Sequence, residues 1–199
     1  MSSVQNSSTL ASAIWTTDEG ASRISRLFRL AVLAFAGSAF LALSAQIAMP
    51  MWPVPMTMQT FAVLLIGAAY GWRLGGATLA LYLAEGALGL PVFANGGSLA
   101  SLVGPTAGYL FAFVAAAAIV GFLAEKGWDK SPVKLGVAML LGNAVIYAGG
   151  LTWLAKFMPS FELAVAAGMT PFLIGDLVKL LLAVALLPMA WKLVEKFRT

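Results

Sequence analysis

The 199-residue chain is 61% hydrophobic and 10% charged, with a formal net charge of +4 and a mean hydropathy of +0.92. A soluble domain carries about 25% charged residues, so much of this apolar surface has to face lipid. Histidine and cysteine are absent, which excludes Ser-His-Asp and Cys-His nucleophiles, zinc-finger-type sites and disulfides, and without a GxxxxGK[ST] segment there is no P-loop for ATP.

The N-terminal stretch is rich in Ser and Thr and lacks the basic start, short apolar run and cleavage site of a signal peptide. Residues 1–22 read as a mobile cytoplasmic tail with an interfacial turn around Trp15, and residues 23–199 as one transmembrane domain. A crossing helix needs about 20 mostly apolar residues. Six runs qualify, near Leu27–Met49, Thr57–Trp72, Leu74–Leu90, Pro105–Glu125, Val133–Lys156 and Pro171–Lys192. Only Arg73 and neighbouring glycines divide the second from the third. That stretch is too long for one crossing and suits a tight helical hairpin. The predicted class is therefore all-α, a polytopic bundle of six transmembrane helices.

With the N-terminus inside, Arg23, Arg26, Arg29, Arg73, Lys126, Lys130, Lys134, Lys192, Lys196 and Arg198 all fall on the cytoplasmic side. Lys156 is outside, and Lys179 lies within the sixth span. This asymmetry follows the positive-inside rule and places both termini in the cytoplasm. The basic excess is topological, so nucleic acid is not expected as a partner. The expected location is the cell (inner or plasma) membrane, spanned several times.

Several features are candidates for function. Ala34, Ser38 and Ala42 form a small-xxx-small stripe on the first span, suited to meeting another membrane protein, and Gly67, Gly71 and Gly75 repeat that spacing where the hairpin arms pack. The outer loop Met49-Pro50-Met51-Trp52-Pro53-Val54-Pro55-Met56-Thr57-Met58 has two readings. One is thioether ligation of Cu(I). The other is a stiff apolar cap with Trp52 at the interface and Met filling irregular gaps. Gln59 and Tyr82 either face a shared cavity or hold helices together. Glu85 either pairs with Lys179, lines a cavity or reaches the interface.

The second outer loop, from Gly89 to Tyr109, is long, uncharged and rich in glycine. It reads either as a lid over a cavity, with Asn95, Ser98, Thr106 and Tyr109 offering neutral hydrogen bonds, or as a plain connector. In the sixth span, Asp176 and Lys179 share a helix face at i and i+3. Each ionisable group inside a span costs about 2.5–3.5 kcal/mol on insertion scales. With the outer end near Pro171, Asp176 lies about 8 Å along the helix. The pair is then reachable from outside, as a ligand site or as a neutralised ion pair that pins helix packing. No other acid–base or metal constellation stands out, so neither an enzyme nor a resident cofactor or metal is expected.

At Pro53-Val54-Pro55-Met56-Thr57-Met58-Gln59, Gly89-Leu90-Pro91-Val92-Phe93 and Gly104-Pro105-Thr106-Ala107-Gly108-Tyr109-Leu110, the chain resembles the BioY proteins, biotin-specific S components of energy-coupling factor (ECF) vitamin transporters. The resemblance runs from about Arg29 to Lys192 and includes the Asp-x-x-Lys of the sixth span. It implies a six-helix S-component fold with a high-affinity biotin pocket near the outer face, closed by the loops before spans two and four. It also implies a transmembrane coupling protein and two cytoplasmic ATPases as partners, with the Ala34, Ser38 and Ala42 stripe standing where such families carry an Ala-x-x-x-Ala contact motif. By this resemblance Asp176 accepts an N–H of the biotin ureido ring and Lys179 donates to a ligand oxygen. Asn95 and Tyr109 join them, and Trp52 and Phe93 pack on the thiophane ring and valeryl chain. The competing readings are a Met-loop copper permease and a ligand-free structural or homo-oligomerising membrane protein.

Overall fold

The computed structural model describes residues 9–15 and 22–198. It is almost entirely helical. The elements are α1 (Leu10–Ile14), α2 (Arg23–Gln46), α3 (Gln59–Ala87), α4 (Ala107–Glu125), α5 (Pro132–Leu154), α6 (Phe161–Gly168) and α7 (Leu173–Arg198), with a two-stranded antiparallel ribbon of β1 (Ala48–Met49) and β2 (Met56–Thr57) between α2 and α3. Local chemistry sets the starts. Ser22 and Ser160 accept the backbone N–H groups of Ser25 and Leu163 as N-caps of α2 and α6, and α5 opens on Pro132, whose missing N–H costs nothing in a first turn.

Among the described residues five helical stretches are long and apolar enough to cross a membrane: Arg23–Gln46, Gln59–Ala87, Ala107–Glu125, Pro132–Phe157 and Phe161–Val194. The sequence suggested six runs, and the difference lies in α3. Its helical path is interrupted at Gly71, whose φ of 81° is open to glycine at little cost. The chain reverses there. The side-chain amide of Gln59 donates to the Tyr82 hydroxyl at 2.9 Å, whereas a straight helix would separate residues 23 apart in sequence by about 35 Å. A Cβ placed on Gly75 would sit 3.2 Å from the Cα of Gly67, so small residues let the two arms touch, as the glycine spacing suggested.

Lipid is as apolar as Leu, so helices in a membrane associate through close packing rather than through expulsion of water. A Cβ on Gly67 would lie 2.6 Å from the carbonyl oxygen of Ala117, and one on Gly121 would lie 2.4 Å from the backbone of Gly71. α4 therefore lies directly against the hairpin. Glu125 at the end of α4 accepts the Trp72 backbone N–H at 3.2 Å, capping the second arm of α3. Outward-facing Phe35, Leu43, Leu140, Ile174, Leu177 and Leu181 remain exposed, as a lipid-facing shell requires.

The structure adds detail at three of these places. Residues 1–22 were expected to be a mobile tail, yet Leu10–Ile14 form a helix with Leu10, Ala11 and Ala13 buried. Thr9 caps it through a reciprocal pair with Ser12, and its apolar residues are covered by the bundle end near Gly71; the rest of that tail, 1–8 and 16–21, lies outside the described residues. The sixth span begins close to the expected Pro171, since the path breaks at Met169 and α7 starts at Leu173; what the sequence did not suggest is the separate helix α6 before it. In the Ala34, Ser38 and Ala42 stripe, expected to face a partner, the middle residue is the one that turns inward. Ser38 is fully buried and donates to Glu85 on α3, while Ala34 and Ala42 are half-buried. The small Ser38 side chain lets α2 approach α3, and Ala34 and Ala42 keep part of their surface outward on either side of it.

Candidate functional site

A cavity of about 200 Å³ opens at the end of the bundle that carries the β1–β2 ribbon and the 89–106 loop. Phe93, Leu110, Phe113, Ile146 and Phe172 give it apolar walls. The polar groups gather mainly where α3, α5 and α7 meet.

Asp176 sits in the first turn of α7, where the free backbone N–H groups favour an anion. Its Oδ1 lies 3.1 Å from the Lys179 ammonium, and the two side chains are 8% and 11% exposed. The Thr60 hydroxyl, at the start of α3, donates to the same Oδ1 at 3.3 Å and accepts from Lys179 at 2.9 Å. Tyr147 on α5 donates to Oδ2. One carboxylate thus gathers three donors from three helices. Ion pairs this sheltered recover their desolvation cost only when such extra bonds satisfy them, and here the sheltered side faces the cavity.

The remaining predicted site residues divide into two groups. Gln59, Phe93, Asn95 and Tyr109 line the cavity together with Asp176 and Lys179. Asn95 is exposed at the rim in the left-handed region, with φ of 56°. The Tyr109 ring rests where Gly150 and Gly168 have no side chain, and its hydroxyl donates to the Gly168 carbonyl at 2.9 Å. Trp52 and Tyr82 do not line the cavity. Trp52 is 83% exposed, beyond the loop that contributes Val54 and Pro55 to the wall. Tyr82 is fully buried behind the wall, accepting from Gln59 and donating to the Val92 carbonyl at 2.8 Å.

The 89–106 loop is held rather than loose. Phe93 is 1% exposed, meets Tyr82 edge to face at 5.1 Å, and has its carbonyl bonded by Gln46 at 3.1 Å. Trp153 donates to the Gly104 carbonyl at 3.0 Å. Of the four methionines in the 49–58 loop, Met56 and Met58 pack on the core and Met49 faces outward. Among the described residues no group of three or more His, Cys, Asp or Glu could hold a metal ion. Glu85 bonds Ser38 away from the cavity. Sequence reasoning missed Thr60, Tyr147 and Phe172. Tyr147 carried a usable signal, since it stands one turn from Asn143 inside an otherwise apolar span.

A family model described as the BioY family matches residues 15–196. The chain is 40% identical over 163 residues to the biotin transporter BioY of Thermotoga maritima, covering 79% of this chain and 92% of that one. It is likewise 40% identical over 147 residues to a probable biotin transporter BioY of Pyrococcus horikoshii, covering 73% and 86%. The crystal structure of an S-component for biotin from an ECF-type ABC transporter superposes with a TM-score of 0.73 at 24% identity, over 88% of this chain and 95% of that one. At that identity the match establishes a common fold.

Proposed function

This chain belongs to the BioY family of multi-pass membrane proteins, and on that footing we propose that it is a high-affinity biotin-binding subunit that mediates biotin uptake as the S component of an ECF-type transporter. The observation that carries the proposal is the Asp176, Lys179, Thr60 and Tyr147 cluster on the wall of an otherwise apolar cavity. Biotin has matching chemistry. Its ureido ring offers two N–H donors and one carbonyl acceptor, while the thiophane ring and valeryl chain are apolar. Asp176 accepts a ureido N–H and Lys179 donates to a ligand oxygen. Both bonds are charge-assisted, and such bonds are about twice as strong as neutral ones. Phe93, Phe113 and Phe172 cover the apolar parts, each buried CH₂ gaining about 0.8 kcal/mol. Gln59, Asn95 and Tyr109 complete the polar lining. Tyr82 supports the site from behind by tying Gln59 to the 89–106 loop.

Six crossings follow when each arm of α3 counts as one, and the reversal at Gly71 supports that count. The arms, 59–70 and 72–87, span about 18 and 24 Å, less than the roughly 30 Å hydrocarbon core. Their short length is tolerable because 56% of the apolar window of α3 is buried inside the protein. Arg73, Lys126 and Lys130 gather at the end opposite the cavity, where Lys130 stacks on Trp191. That distribution supports cytoplasmic termini and a cavity open to the outside of the cell membrane. The absence of a P-loop from the sequence agrees with energy supplied by a transmembrane coupling protein and two ATPases. The packed stripe on α2 leaves Leu27, Phe28, Phe35 and Leu43 as its exposed apolar face.

Calorimetric titration of the detergent-purified chain with biotin tests the proposal. Saturable binding near one ligand per chain is expected. No heat with biotin, together with copper binding that changes the Met environment, would replace it with the permease reading.

A further inference from the structure

Beside the ion pair lies a second, separate space of about 10 Å³, lined by Thr60, Asn143, Asp176 and Lys179 together with apolar groups such as Met139 and Leu64. A volume of about 10–15 Å³ is enough to hold one water, provided it finds two to four polar partners. The partners are at hand. The Asn143 amide oxygen is buried and has no hydrogen-bond partner among the described residues, a condition that is costly when left unrelieved. Lys179 has three ammonium protons, and its hydrogen bonds go to Thr60 and Asp176, so one donor remains. Asn143 and Tyr147 stand one turn apart on α5, as Asp176 and Lys179 do on the antiparallel α7. Tyr147 meets Asp176, which brings Asn143 level with Lys179 one turn deeper.

We propose that a single water in this space joins the Asn143 amide oxygen to the Lys179 ammonium, making Asn143 a positioning residue for the ligand-binding lysine. The bridge fixes the ammonium from below, so its head group meets the ligand already oriented. The positioning role rests on the biotin-binding reading; the bridge itself does not.

Thermal unfolding of the detergent-purified, ligand-free chain tests the bridge. In the wild-type background Asn143→Leu strands the third Lys179 donor, and the midpoint should fall by roughly 2–4 °C, the response of a chain this size to the loss of about one hydrogen bond. In a Lys179→Met background the same substitution removes an orphaned amide instead, so the midpoint should stay level or rise. An equal shift in both backgrounds would reduce Asn143 to a packing residue and overturn the inference. Asn143→Ser keeps an acceptor and should recover most of the loss; failure to recover any would also overturn it. In the wild-type background Asn143→Leu should weaken biotin binding about tenfold. Unchanged affinity would refute the positioning role. A wild-type chain that binds no biotin would remove the parent reading while leaving the thermal comparison to decide the bridge.

Discussion

Replacing Asp176 by Asn preserves shape and removes charge, leaving the Lys179 ammonium, 11% exposed, without the carboxylate 3.1 Å away. Breaking a buried pair from one side costs about 3–5 kcal/mol. The Asn oxygen still accepts a hydrogen bond and the pair borders a cavity, so the low end, about 3 kcal/mol, applies. For a chain of this length each kcal/mol moves the unfolding midpoint by roughly 2–4 °C, which gives a fall of roughly 6–12 °C. The double variant Asp176→Asn with Lys179→Met has no stranded charge and should regain most of that loss. Binding should behave differently. A hydrogen bond to a charged group is worth about 1.5–3 kcal/mol, so the single variant should hold biotin about 10- to 150-fold more weakly, and the double variant should bind no better. Thermal unfolding and calorimetry on the same detergent-purified samples separate the two effects. Wild-type midpoints and wild-type affinity in both variants would refute the assignment of the pair to the ligand site.

Tyr147→Phe removes the donor to Asp176 Oδ2 and should weaken biotin binding about tenfold with only a small thermal change; an unchanged dissociation constant in calorimetry would contradict this. Gly121→Ala would put a methyl 2.4 Å from the Gly71 backbone and, at the usual overpacking cost of about 1–3 kcal/mol, should lower the midpoint by several degrees; a wild-type midpoint would contradict the close contact. Asp129, in the α4–α5 connection, is fully buried and accepts from Trp191 at 2.6 Å. Burial raises its carboxyl above the ordinary value of 3.8, against the opposing pull of Trp191 and Lys130. The folded chain therefore binds that proton more tightly than the unfolded one, and the resulting stability is complete below 3.8 and lost as pH rises through the folded value. Asp129→Asn should exceed wild type in melting midpoint at pH 8, with the gap closing on acidification; a gap independent of pH would contradict the shift.

The parts of the site visible in the sequence were those whose burial is expensive. Asp176 and Lys179 stood out because two charges inside a span demand a reason, and the hairpin stood out through Gly67, Gly71 and Gly75. Hydroxyls are cheaper to bury because they can bond nearby carbonyls, as Thr78 does with Leu74 at 2.8 Å, so Thr60 gave little warning of its place between both charges. Direction was the other hidden quantity. Trp52 and Phe93 are both aromatic residues on the loops at the cavity end, yet one is exposed and the other turns into the wall, a difference fixed by Gln46, Tyr82 and the missing side chain of Gly86, whose place the Phe93 ring takes. α6 escaped notice because eight residues are too few for a crossing, and the inward direction of Ser38 because small residues serve inner and outer contacts alike.

The most direct measurement is an experimental structure of the chain purified with saturating biotin. The account predicts biotin in the cavity, with polar atoms within hydrogen-bonding distance of Asp176 and Lys179 and its ring against Phe93 or Phe172. Biotin bound elsewhere, or a cavity holding only solvent while the Asp176–Lys179 pair stays closed, would contradict it.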